Sequence, residues 1–340
     1  MMEQLPILTL TGRCFYNDKL GPFTKYITEL MGYDRCIMMN SGVEGGETAI
    51  KFARRWGYAA KGIAPNQARV AFANKNFWGR TIAACASSDD PGRYTDFGPF
   101  DLNFDLVDYN NLGALETYFQ ENPNCCAYMC EPIQGEAGVV IPDDGYLAGV
   151  RKLCDKYNVL WIDDEVQAGM GRTGKFLAAD HDGVKPDIVV LAKSLSAGFY
   201  PVSAVLADNK VMDLIKPGDH GSTFGGNPLA CVIAKRALEV LYEEKMMENA
   251  EVQGKYLLEG LKRIQPEWIT TIRGRGMWLA MESDQDCRVK AKDLTQAMFK
   301  HGMLAYHAHK VNVRLSPPLV FSRSECDEML EKTEKAFKMF

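Results

Sequence analysis

The sequence lacks a basic excess. Thirty-nine Lys and Arg stand against 44 Asp and Glu, a net charge of −5. A nucleic-acid-binding surface requires surplus positive charge or a basic stripe, so no nucleic-acid partner is expected. No run of eighteen apolar residues occurs, and no membrane span is expected. Met1–Leu10 has no basic region followed by a long apolar stretch and no Arg-rich composition, so neither a signal peptide nor a transit peptide is read there. Internal repeats and low-complexity tracts are absent. Histidine is sparse, with five residues, of which only those in His307-Ala308-His309 are close together. That trio reads as an exposed strand or turn without ligand spacing, and no metal is expected. Cysteine is plentiful at ten residues, yet no C-x-x-C pair occurs, and no His lies near Cys125, Cys126 and Cys130 to complete a zinc pattern. The cysteines read as thiols of a reducing compartment.

What is present describes a globular α/β protein. Hydrophobic residues make up 46% and charged residues 24% of 340, enough for a large core and about two domains. Short apolar runs at Val70–Ala73, Cys126–Cys130, Val159–Ile162, Ile188–Leu191 and Val202–Leu206 have the length of buried strands. Helical patterns such as Leu112–Gln120 and Tyr146–Tyr157 lie between them. This alternation predicts a mostly parallel central sheet with flanking helices. Pro228–Ile264 reads as helical with a break near Met246–Glu248, followed by strand-like Ile269–Glu282 and Met303–Leu315 and a terminal helix over Ser322–Phe340. The expected organisation is a helical N-terminal segment over 1–37, a large domain over 38–245 and a smaller α+β domain over 246–340.

Two strand ends carry the chemistry. Val159–Ile162 runs into Asp163, Asp164 and Glu165, and three acids at the end of an apolar strand are costly without a basic neighbour. The next run, Ile188–Leu191, leads into Ala192-Lys193-Ser194. Alone, Lys193 reads as a solvated loop residue. Beside an acid at the neighbouring strand end it fits pyridoxal phosphate, which needs a Lys for a Schiff base and a carboxylate to keep its ring nitrogen protonated. Asn40-Ser41-Gly42-Val43 enters a helical stretch and offers backbone N–H groups to a phosphate, or else is a simple helix cap. The loop from His220 to Asn227 places Ser222 and Thr223 before another helix, as further phosphate donors or as a turn capped by Asn227.

These elements fall within a longer series: MNSGVEGGETAIKFARRWGY, NFWGRT, FGPF, EPIQGEAGVV, DDEVQAGMGRTGK, LAKSLSAGFYPVSAVLAD, HGSTFGGNPLA and VRLSPPL. In this order the series resembles the class III, fold type I pyridoxal-phosphate-dependent aminotransferases. NFWGRT and YPVSAVL resemble the ornithine branch rather than the acetylornithine or 4-aminobutyrate branches. The resemblance implies the fold type I architecture, a pyridoxal 5'-phosphate cofactor and a homodimer with its sites at the interface. It implies that Lys193 binds the cofactor and carries protons, and that Asp164 pairs with the ring nitrogen. Phe77 and Val166 would sandwich the ring and Gln167 would contact its phenolic oxygen. Gly42 and Val43 would meet the phosphate, with Ser222 and Thr223 reaching it from the partner subunit. Trp78 and Arg80 would line the substrate site, with Arg80 on the carboxylate far from the reacting carbon. Arg314 would hold the α-carboxylate of glutamate or 2-oxoglutarate, and Glu136 would hold Arg314 when L-ornithine is bound. Read from the residues alone, Glu136 and Arg314 are a surface ion pair of little energetic value.

The activity so implied is ping-pong transfer of the δ-amino group of L-ornithine to 2-oxoglutarate, giving glutamate 5-semialdehyde and glutamate. Alternatives are another ω-amino donor, such as N-acetylornithine or 4-aminobutyrate, or a weakly active partner of a full-length enzyme. The latter reading follows from the expectation that Met1 matches a point inside the family pattern, after an N-terminal segment members usually carry. The cytosol is the expected compartment, or the mitochondrial matrix if a leader is missing. Two departures from the pattern are local. Asp163 stands where an apolar or small residue is usual, and should be solvated or paired. Ala197 stands where Gly is common.

Overall fold

The computed structural model describes residues 1–12, 14–308 and 311–340, so His309 lies outside the described residues. Two compact units are formed. The first comprises Met1–Pro132, Pro142–Gln167 and Ala179–Val240, and the second Ile133–Ile141, Ala168–Ala178 and Leu241–Phe340. The short stretches 133–141 and 168–178 thus join the C-terminal unit, an exchange that a single boundary near residue 245 does not contain.

The first unit is built on a seven-stranded sheet. In chain order its strands are β1 (Arg35–Met39), β2 (Arg69–Ala73), β3 (Phe104–Val107), β4 (Cys125–Cys130), β5 (Leu160–Asp164), β6 (Ile188–Leu191) and β7 (Ser203–Ala207). Their order across the sheet is β1-β7-β6-β5-β4-β2-β3. From β3 to β6 every pairing is parallel, and β7 runs antiparallel to both β6 and β1. Strands β4 to β7 are buried along their whole length because helices cover both faces. On one face Phe72, Met129, Leu160, Ile162, Val190 and Val205 pack on the helix Gly42–Ala59. On the other, Tyr128, Cys130 and Trp161 pack with Leu115, Phe119, Leu147 and Val150 from the helices Leu112–Glu121 and Tyr146–Lys156.

The period of two in β5 sorts its terminal acids. Leu160 and Ile162 face the Gly42–Ala59 helix, so Asp164 follows them to that side. Trp161 and Asp163 follow the opposite face.

The second unit holds an antiparallel sheet of β8 (Ile269–Arg275), β9 (Trp278–Ser283), β10 (Tyr306–Ala308) and β11 (Asn312–Leu315), ordered β10-β11-β9-β8. Helices Met246–Arg263, Ala291–Lys300 and Arg323–Phe337 supply Leu257, Leu261, Leu294, Met298 and Met329 to its core. The preceding helix Pro228–Glu243 ends just before Lys245, which adopts a left-handed φ of 49° and breaks the long helical stretch.

Close packing of the Gly42–Ala59 helix on the sheet requires small residues. A Cβ at Gly45 would lie 2.7 Å from Val190 Cγ1, on a β-branched side chain locked in the sheet, whereas one at Gly113 would meet only Asn111 Oδ1, at an ordinary 3.5 Å. Gly45→Ala is expected to lower stability by about 1–3 kcal/mol. Gly113→Ala, in an open position of the helix Leu112–Glu121, should raise it by about 0.5–1 kcal/mol. Denaturant unfolding of the two variants checks the pair, and equal effects would contradict this packing.

Candidate active site

Asp164 and Lys193 emerge from the carboxyl ends of adjacent parallel strands, where ligands of open α/β sheets bind. Asp164 is opposite Val190 in the β5–β6 register, and Lys193 lies three residues beyond Val190. Asp164 is 4% exposed, and its Oδ1 accepts a hydrogen bond from Val166 N at 3.1 Å. Burial pushes its carboxyl up to about 6, opposed by the Val166 N–H and by the positive charge of Lys193. Lys193 is exposed and takes a left-handed φ of 43°.

The neighbouring acids are not equivalent to Asp164. Asp163 is fully buried, and neither of its oxygens receives a fixed donor. Its neighbour Glu165 is itself an acceptor, already bonded through Oε1 to Ala179 N at 3.0 Å. Burial foremost, then the charge and hydrogen bond of Glu165, hold Asp163 well above the ordinary carboxylate range. Burial thus favours the neutral form of Asp163, which lies on the face away from Asp164. The expectation that Asp163 be solvated or paired is not met: it is buried, and neither oxygen has a hydrogen-bond donor. Ala197 adopts φ 50°, a left-handed conformation in which a Cβ costs about 1 kcal/mol or more.

The Gly42–Ala59 helix presents its N-terminus to the same strand ends. A reciprocal capping box forms: Ser41 Oγ accepts from Glu44 N at 3.4 Å, and Glu44 Oε2 accepts from Ser41 N at 2.7 Å. The N–H groups of Gly42 and Val43 have no acceptor within the helix and face outward with the positive end of the dipole. A Cβ at Gly42 would sit 3.0 Å from Val166 Cγ1, so the absent side chain is what lets these amides approach the loop after Asp164. Ser222 Oγ accepts from Asn40 Nδ2 at 2.9 Å, which draws the 220–227 loop to the same turn, and Thr223 is exposed.

Phe77 is half-buried in the loop after β2, with the Arg93 guanidinium 4.7 Å and the Arg80 guanidinium 5.8 Å from its ring centre. Trp78 is buried, with its indole anchored in the core. It stacks on Phe72, fills the space beside Gly46, and donates from Nε1 to Ser87 Oγ at 2.7 Å. Sequence reasoning missed Glu131, which directly follows β4. Its Oε1 accepts from Phe77 N at 3.1 Å and its Oε2 from Gln167 Nε2 at 3.5 Å, tying the loops after β2 and β5 to the end of β4. The signal was available, since an acid at the end of the buried run Cys125–Cys130 demands partners. Phe72, Asn76, Phe77, Trp78, Met129, Glu131 and Asp164 line one small cavity at these strand ends.

In the second unit Glu136 and Arg314 come together. Arg314 Nη1 lies 3.0 Å from Glu136 Oε1, with side chains only 13% and 18% exposed. The turn bearing Glu136 is closed by the reciprocal bonds between Gln134 and Val140 at 2.9–3.0 Å. It is clamped by Arg273, whose Nε donates to the carbonyls of Gly138 and Val139, both at 3.0 Å. The pair is thus not the solvated surface contact that its residue types alone allow.

The Aminotransferase class-III family pattern matches residues 1–337. The chain belongs to the class III aminotransferases. "Ornithine aminotransferase, mitochondrial" from Drosophila melanogaster is 51% identical over 335 residues, 98% of this chain and 77% of that protein. The Rattus norvegicus protein of the same name is 50% identical over 342 residues, again 77% of its length. The crystal structure of ornithine aminotransferase from Toxoplasma gondii superposes with a TM-score of 0.97 at 46% identity, covering 99% of this chain and 80% of that one. Class III aminotransferases of this kind are fold type I enzymes that use pyridoxal 5'-phosphate, and the residues here fit it. The unpaired helix-terminal amides suit the phosphate, and the buried, partly charge-compensated Asp164 suits a cationic ring nitrogen. Among the described residues no cluster of three His, Cys, Asp or Glu is arranged to hold a metal, and no helix is long and apolar enough to cross a membrane.

Burial of Asp164 carries a pH-dependent cost. Its folded-state value of about 6 lies above the unfolded 3.8. Between those limits the folded aminotransferase binds more protons than the unfolded chain, so stability falls as pH rises, and the loss is complete above about pH 6. Asp164→Asn should therefore stabilise the apoprotein by about 2–3 kcal/mol at pH 8 and by nothing below pH 4. Denaturant melts across pH check this, and equal stability at pH 8 would contradict it.

Proposed function

We propose that this class III aminotransferase transfers the δ-amino group of L-ornithine to 2-oxoglutarate, with Glu136 as the switch between the two half-reactions. The observation that carries the reading is the largely buried Arg314–Glu136 pair. Glutamate has a carboxylate beside its reacting carbon, and the δ-carbon of ornithine has none. An uncovered Arg314 would attract ornithine's own carboxylate and present its α-amino group. With Glu136 in place the cation is already paired, and ornithine gains nothing by binding in that direction. Glutamate supplies a carboxylate of its own and takes Arg314 from Glu136.

The other roles follow from position. Pyridoxal 5'-phosphate, when bound, supplies a sink for the electron pair left on the amine-bearing carbon. Lys193 Nζ would hold the cofactor and then take and return the proton of that carbon. Asp164 would keep the ring nitrogen protonated, Gly42 and Val43 would bind the phosphate, and Val166, Phe77 and Gln167 would orient the ring. Trp78, from beneath, would fix the wall that carries Phe77, and Arg80 would take the distal carboxylate. Ser222 and Thr223 would serve the partner's site in a homodimer. The compartment in this reading is the cytosol, or the mitochondrial matrix where a leader directs it there.

The test is spectroscopic. Wild-type protein loaded with pyridoxal phosphate should show a visible band that Lys193→Ala lacks and that ornithine bleaches. Glu136→Ala should lower apparent affinity for ornithine and raise that for glutamate. A band that responds to N-acetylornithine or 4-aminobutyrate but not ornithine would move the assignment to that donor. Absence of any band would overturn the enzyme reading.

A further inference from the structure

The Arg314–Glu136 pair has a third member. Tyr306 opens β10, and the antiparallel register with β11 sets it directly opposite Arg314. Directly opposite residues share a face of the sheet and touch. On the other flank of β11 the residue paired with Arg314 is Ala280, too small to cover a guanidinium. The Tyr306 ring lies over Arg314, 4.5 Å from guanidinium carbon to ring centre. The Tyr306 hydroxyl points at Glu136 Oε2 at 3.5 Å, while Glu136 Oε1 holds Arg314. Each of the three side chains thus contacts the other two.

We propose that Tyr306 is a specificity-determining positioning residue that weights the Arg314–Glu136 pair toward its closed state. This rests on the dual-substrate reading above. A guanidinium has two faces and a hydrogen-bonding edge. The ring occupies one face and leaves the edge to Glu136, so it fixes the plane of Arg314 without competing for its donors. The hydroxyl draws the second carboxylate oxygen and resists the swing that would open the pair. Tyr306 is about half exposed, so it can move aside when a substrate carboxylate arrives. It touches neither reacting atom nor cofactor in this account. Its effect is on how often Arg314 is available, and therefore on the balance between glutamate and ornithine rather than on the chemistry they share.

The experiment uses holoenzyme and reads the two half-reactions separately, by titrating the cofactor's visible band with ornithine and with glutamate. Removing the ring in Tyr306→Leu should tighten the apparent constant for glutamate by about two- to fivefold, the range expected for loss of one exposed cation–π contact. The constant for ornithine should weaken, with maximal rates changing less than the constants. Tyr306→Phe keeps the ring and loses only a long hydrogen bond, so its shift should have the same sign and be smaller. Should Tyr306→Leu fail to retain cofactor, Tyr306→Phe decides. An unchanged ratio of the two constants, or an equal slowing of both half-reactions, would overturn the proposal. Failure of the wild type to react with ornithine while still reacting with glutamate would overturn the ornithine reading instead, and the glutamate constant would still report on Tyr306.

Discussion

The site depends on one costly placement, a carboxylate buried at the end of a strand inside a layered sheet. Asp164 keeps an accessible ionised form only because Val166 N–H and the Lys193 charge offset its desolvation. Much of the first unit serves that placement. Strand alternation turns Asp164 toward the Gly42–Ala59 helix and Asp163 away from it. Burial holds Asp163 well above the ordinary carboxylate range, so it adds little charge beside Asp164. Gly42 and Gly45 let the helix lie against Val166 and Val190, which brings its uncapped amides to the strand ends. Glu131 then braces the loops that carry Phe77 and Gln167. In the proposed function, a cationic ring nitrogen would remove the burden that burial imposes on Asp164.

In the proposed function the second unit meets a different demand, presenting a cation that would be concealed from one substrate and revealed to another. Its small antiparallel sheet fixes Arg314 between Tyr306 and Ala280, and Arg273 clamps the turn that delivers Glu136. Gly138 makes this clamp possible. Its φ is 108°, and a Cβ there would lie 2.7 Å from Asn312 Cγ. Rigid supports around the carboxylate suit the proposed switch, in which only the Glu136 side chain would have to move.

Legibility followed locality. Asp164 and Lys193 could be read because each ends a short apolar run, where a charge has few bland explanations, and the Ser41-Gly42 turn because it opens a helical stretch. Strands β4 and β6 were visible for the same reason. Strand β1 escaped because Arg35–Met39 is an edge strand only partly buried, and β3 because Phe104–Val107 is short and mixed in character. The transfer of 133–141 and 168–178 to the second unit left no trace in composition, since it is dictated by packing of Ile133, Val139 and Ala168 on Trp278 and Ala280. The anchoring of Trp78, whose indole donates to Ser87 while it also lines the cavity, depends on tertiary packing that its place beside Phe77 does not declare. Tyr306 lay inside a stretch readable as strand, but its partner depends on register, which the sequence does not declare.

The most direct test of the account is the affinity for pyridoxal phosphate of wild type and Asp164→Asn, measured across pH. If the buried carboxylate is the counter-charge of the cofactor ring, the wild type binds more tightly at pH 8, and its advantage disappears as pH falls through about 6, where Asp164 becomes neutral. Equal affinity of the two proteins at every pH would contradict the central role given to Asp164.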